Sequence, residues 1–111
     1  MAYDEQLADW VRTLLKSERT LEEKRMFGGL GMLVNGNMAV AVRGKGGLLV
    51  RVDPDDAEDA LSEPGARLMV MRGKKMRGWI TVDPKACARR ADVQRWVKRG
   101  VTYAKTLPKK S

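Results

Sequence analysis

Arg25-Met26-Phe27-Gly28-Gly29-Leu30-Gly31-Met32-Leu33-Val34-Asn35-Gly36-Asn37-Met38 is the stretch on which the fold turns. Asn35-Gly36 sits between two apolar runs, and both central residues of a type I′ hairpin turn need positive φ, which Asn and Gly supply. The spacing therefore predicts a strand over residues 24–34, a tight turn, and a second strand over 38–43. Gly28, Gly29 and Gly31 weaken a strand unless the backbone bends or another group approaches closely. They also invite comparison with a phosphate cradle. No Gly-Lys-Ser/Thr follows, however, and a strand rather than a helix comes next. Bending and close packing are the favoured reading.

Working outward, residues 4–16 carry Leu7, Trp10, Val11, Leu14 and Leu15 at helical spacing, with Asp9, Arg12, Thr13 and Lys16 opposite. That pattern predicts an amphipathic helix. A polar segment, 17–23, leads into the sheet. Gly44-Lys45-Gly46-Gly47 makes the next turn, before a third strand over 48–52. Asp53-Pro54 reads as a helix start, Asp as cap and Pro in the first turn, for a short acidic helix over 54–61. Two further strands, 67–72 and 76–82, flank a turn at Gly73-Lys74-Lys75. Asp83-Pro84 repeats the helix-start signature. Val93, Trp96, Val97, Gly100, Val101 and Ala104 then form an apolar stripe, with Arg95, Lys98, Arg99 and Lys105 on the other face. Residues 107–111 read as a frayed tail. The expected class is α+β, in the order α-β-β-β-α-β-β-α. Its antiparallel sheet has five strands, with the two long helices on one face.

At 111 residues the chain is one domain, 1–111, with no repeat or linker. No apolar run approaches the ~20 residues of a membrane span. The polar, acidic start is unlike a signal peptide, and the single Cys87 allows no internal disulfide. A soluble cytoplasmic protein is expected. The net charge of +8 is unevenly placed: residues 1–64 hold 8 Lys+Arg and 12 Asp+Glu, whereas residues 65–111 hold 14 and 2. Such asymmetry suggests a basic face, and basic faces attract nucleic acid, anionic membrane or acidic protein.

The run Arg25-Met26-Phe27-Gly28-Gly29-Leu30-Gly31, the Asn35-Gly36 turn and Met38-Ala39 resemble the N-terminal domain of the TfoX/Sxy family of bacterial competence regulators. Further support comes from residues 48–53, from Met76-Arg77-Gly78-Trp79, and from Trp96-Val97 in the last helix. The resemblance covers nearly the whole chain. It implies an α-β(3)-α-β(2)-α fold in two layers, like that of secretion chaperones. Longer family members act with the cyclic-AMP receptor protein to switch on competence genes, and carry a second, C-terminal helical domain. The present chain reads as a stand-alone copy of the first domain.

For chemistry, the absence of His removes the commonest general base and metal ligand. Cys87 near Lys85, Arg89 and Arg90 could be reactive, but a partly buried inert thiol is favoured. Asp53, Asp55, Asp56, Glu58 and Asp59 lack the spacing of a calcium loop and fit helix capping better. No catalytic residue, cofactor or metal is expected. The serious functional candidates are cations: Arg72, Lys74, Lys75 and Arg77 around one hairpin, and Arg95, Lys98, Arg99 and Lys105 on the last helix. A solvated charged face is favoured over a phosphate-tracking surface. Met32, Met38, Met69, Met71 and Met76 are expected to fill core gaps, with an adaptable partner surface as the alternative. The leading expectation is a non-enzymatic interaction module for a protein partner of the transcription machinery. Non-specific nucleic-acid binding is the alternative, and an enzyme or ligand-binding protein is disfavoured. Monomer and homodimer stay open.

Overall fold

The expected first strand is two strands. The structure, a computed structural model, describes residues 3–26 and 28–109. Within it, β1 (Glu22–Met26) and β2 (Gly29–Val34) run antiparallel, with Met26 opposite Gly29. Gly28 turns the chain between them at φ +76, a conformation that costs glycine little. The glycine-rich entry is thus a hairpin turn that the apolar sequence around it conceals. Phe27 lies outside the described residues.

The sheet consequently has six strands rather than five, in the order β1-β2-β3-β4-β6-β5, with every neighbouring pair antiparallel. β3 is Asn37–Val42, β4 Leu48–Arg51, β5 Ala66–Met71 and β6 Lys74–Val82. With α1 (Glu5–Leu14), α2 (Ala57–Leu61) and α3 (Arg90–Thr106), the order is α-β(4)-α-β(2)-α. The Asn35-Gly36 turn has φ values of 55 and 77, as type I′ requires. The second tight hairpin turn is Arg72-Gly73, at 53 and 79, which places Lys74 and Lys75 on β6 instead of in a turn. Both Asp-Pro signatures open 3-10 turns, Pro54–Asp56 and Pro84–Cys87. Asp53 accepts from the Asp55 N–H at 2.9 Å.

All three helices pack on one face of the sheet. Asp4 caps α1, accepting from the Leu7 N–H at 3.1 Å, and the helix buries Leu7, Ala8 and Val11. These meet Val93, Trp96 and Val97 of α3 over Leu30, Met32, Val40, Val42, Leu48, Val50, Ile80 and Val82. Each such fully buried aliphatic side chain contributes about 1.5–3 kcal/mol. A β-bulge between Met32 and Leu33 leaves Ala39 as an extra residue on β3. α3 lies directly on it: a Cβ at Gly100 would collide with the Ala39 carbonyl oxygen. Gly in mid-helix costs about 1 kcal/mol relative to Ala, and here it permits the close approach.

The Asn-Gly turn also joins distant segments. The Asn35 N–H donates to Thr20 Oγ1 at 3.0 Å, and buried Asn37 donates from Nδ2 to the Pro108 carbonyl at 3.0 Å. The expected frayed tail is therefore tied down as far as Pro108, because a buried amide needs a partner. Residues 110 and 111 of that tail lie outside the described residues, as do residues 1 and 2. No described helix is long and apolar enough to cross a membrane.

Candidate functional site

The eight candidate cations fall into two groups that the fold treats differently. On α3, Arg95 and Arg99 both converge on Glu63, just after α2, at 2.7 and 2.9 Å. Arg99 adds Asp59 at 3.1 Å, Arg95 adds Asp92 at 2.9 Å, and Lys105 meets Glu18 at 2.9 Å. The Glu63 and Asp92 carboxylates raise the Arg95 pKa further above its ordinary range. Lys98 alone of the four forms no ion pair among the described residues. Three of these four cations are thus held by carboxylates, most of them from the acidic half of the sequence.

The hairpin of β5 and β6 behaves otherwise. Arg72, Lys74 and Lys75 are exposed and form no ion pair among the described residues. Arg77 donates from Nε to the Pro54 carbonyl at 2.9 Å and stands 3.9 Å from exposed Glu58, a contact worth little in water. The hairpin tip also carries two exposed large hydrophobic residues, Val70 at 57% and Met71 at 37%. Both belong to β5, an edge strand paired only with β6. Met71, expected to fill a core gap with an adaptable partner surface as the alternative, thus stands at the surface beside Val70. The four-residue apolar run 68–71, with no polar alternation, was the available signal.

The sheet face turned away from the helices is the second feature. Register aligns Lys24, Gly31, Ala41, Leu49, Thr81 and Arg67 in one row across all six strands. Gly31 and Ala41 leave its centre low. The Met26 Sδ and Met38 Cε atoms lie 3.2 Å from where a Gly31 Cβ would be, so this glycine makes room for two methionines. Met26, Met38, Ala41, Leu49 and Met69 line a groove of about 220 Å³, together with Arg43 and Lys45 from the turn after β3. No helical residue lines it. Of the five strand methionines expected in the core, Met32 is there, whereas Met38, Met69 and Met76 are half-buried and Met71 is exposed. Alternation explains the difference, since Met32 faces the helices and Met38 and Met69 reach the opposite groove.

A family model described as the TfoX N-terminal domain matches residues 13–104. The chain belongs to the TfoX N-terminal domain family. No curated protein and no solved structure matches it. The family is a regulatory, competence-related one. In this TfoX N-terminal domain, the described residues of the 25–36 stretch take these places in the fold. Arg25 is an exposed strand residue, Met26 a groove wall, Gly28 a turn, Gly29 and Gly31 close-packing positions, and Asn35-Gly36 a hub turn.

The remaining candidates have structural employment. Cys87 ends a 3-10 turn and is buried, and burial pushes its thiol up to about 11. A buried thiol in that state is a poor nucleophile at neutral pH. No group of three or more metal-ligating side chains clusters among the described residues. Asp53 caps a turn and Asp59 pairs with Arg99. Trp96 is buried and Trp10 packs against the core. Trp79 lies 5.1 Å from the Arg51 guanidinium, which also stands 5.7 Å from the Tyr103 ring.

Proposed function

We propose that the domain is a non-enzymatic protein-interaction module of its regulatory family, docking a protein partner on the sheet face that the helices leave free. The observation that carries this reading is the groove lined by Met26, Met38, Ala41, Leu49 and Met69. Methionines suit adaptable docking surfaces, because an unbranched thioether repacks against different shapes at little cost. The family resemblance supports a component of the transcription machinery as the partner class.

The test is photocrosslinking in cells from residues introduced at Met38 and, separately, at Thr102 on the exposed side of α3. Protein adducts from Met38 and none from Thr102 are expected. Adducts to nucleic acid only, or equal yield from both positions, would overturn the reading.

Non-specific nucleic-acid binding is a second reading, and it rests on Arg72, Lys74 and Lys75. Three phosphate contacts would give a log–log salt slope of about −3, a shallow dependence. Single-strand binding would further want exposed aromatic platforms, whereas Trp96 is buried and Trp10 is half-buried against the core. Duplex titration at two salt concentrations separates the readings.

A further inference from the structure

We propose that β5 receives an extended, acidic segment of a protein partner as a seventh strand. The inference rests on the protein-interaction reading and deepens it, naming the partner's chemistry and a place of docking beside the groove. An edge strand presents unpaired backbone N–H and C=O groups along one side and is a template for another chain. The two edges of this sheet manage that hazard differently. β1 is blunted by Glu22-Glu23-Lys24-Arg25, four consecutive exposed charges in a strand of five residues. β5 reads Ala66-Arg67-Leu68-Met69-Val70-Met71, with one charge, and holds two exposed large hydrophobics, Val70 and Met71. Only the β1 edge carries the charges that deter strand addition.

Charge selects the occupant. Residues 66–77 contain five cations and no carboxylate. A second copy pairing along β5 would bring no carboxylate from its own residues 66–77 to answer these cations. A segment alternating acidic and apolar residues fits this edge instead. Its main chain would bond to β5, its apolar side chains, which share one face, would lie beside Met69 and Met71, and its carboxylates on the other face would lie on the side of Lys75, opposite Val70, within reach of the long side chains of Arg72 and Lys74 at the tip. Those cations are free to do so, in contrast to Arg95 and Arg99, which are already held by Glu63. A phosphate backbone would use the cations but leave the apolar strand beside them uncovered. Met69 lies on β5 and also lines the groove, so a partner strand on this edge would be continuous with the open face.

The test uses the full chain, ¹⁵N-labelled, and a capped octapeptide in which Glu alternates with Val. Expected are amide shifts concentrated at residues 66–71 and added exchange protection there. Affinity should fall at least tenfold in Lys74→Glu/Lys75→Glu. It should fall similarly for a backbone N-methylated peptide of equal charge, and a Lys-Val octapeptide should not bind. No shift in β5 at millimolar peptide overturns the proposal, as does undiminished binding of the N-methylated peptide. Shifts confined to Met38 and Leu49 overturn the edge assignment but leave the interaction module standing. Duplex DNA binding more tightly than the peptide and lost in the same double variant would replace both readings with a polyanion site. A peptide-free dimer with protected β5 amides would make a second copy the occupant.

Discussion

α3 and the β5–β6 hairpin carry four candidate cations each, yet they are different objects. Along α3, charge is structural: Glu63 has a side chain 13% exposed and clamps two arginines contributed from 32 and 36 residues away. Beneath those arginines the helix is pinned by Trp96 and by the Gly100 contact with β3. At the hairpin, Arg72, Lys74 and Lys75 form no ion pair among the described residues and stand beside exposed apolar surface on a sheet edge. A charge excess in sequence therefore says nothing about availability until the acidic groups have been placed. Substitutions on α3 should act on stability, and substitutions on the hairpin on binding.

The largest expected effect lies on the α3 side. Trp96→Ala removes the largest fully buried side chain and should cost about 3–5 kcal/mol by urea melting. A loss below 1 kcal/mol would mean that α3 is not anchored as described. Gly100→Val comes next. Its Cβ would overlap the Ala39 carbonyl, and strain of this kind costs typically 1–3 kcal/mol or more. Glu63→Ala leaves Arg95 and Arg99 without their shared acceptor and should cost about 1 kcal/mol, since both guanidinia keep partial access to water. The same variant should raise any polyanion affinity of α3, and duplex titration would show it.

Cys87 sharpens the contrast through pH. Its thiol ionises near 11 in the folded protein and near 9 in the unfolded chain. Above pH 9 the unfolded state loses this proton first. Cys87 therefore contributes stability that is complete below pH 9 and declines as pH rises toward 11. Denaturation across that window should show a drop that Cys87→Ala makes smaller. The smallest effect belongs to the hairpin: Lys74→Glu/Lys75→Glu should change stability by no more than about 0.5 kcal/mol. A larger loss would show that these lysines, like the α3 arginines, have structural partners.

Much of the architecture is legible locally. Asn35-Gly36 declares its turn because positive φ is a property of two residues, and α1 and α3 declare themselves through the spacing of Leu7, Val11, Val93 and Trp96. The miscounted strand has a local cause as well. Met26-Phe27-Gly28-Gly29-Leu30 reads as continuous apolar strand, and one glycine at φ +76 divides it. The tether at Pro108 was not legible locally, because its partner is Asn37, 71 residues away.

Sequence alone determined the class, the hairpin turns of the Asn-Gly kind, the apolar stripes and the lack of histidine chemistry. These depend on φ preferences and on periodicities of two or 3.6 residues, which neighbours along the chain carry. The tertiary structure settled which cations are clamped, which methionines leave the core, and which sheet edge is open. Those outcomes depend on groups tens of residues apart meeting in space, where a carboxylate at 2.7 Å or a bare strand edge changes what a side chain can do.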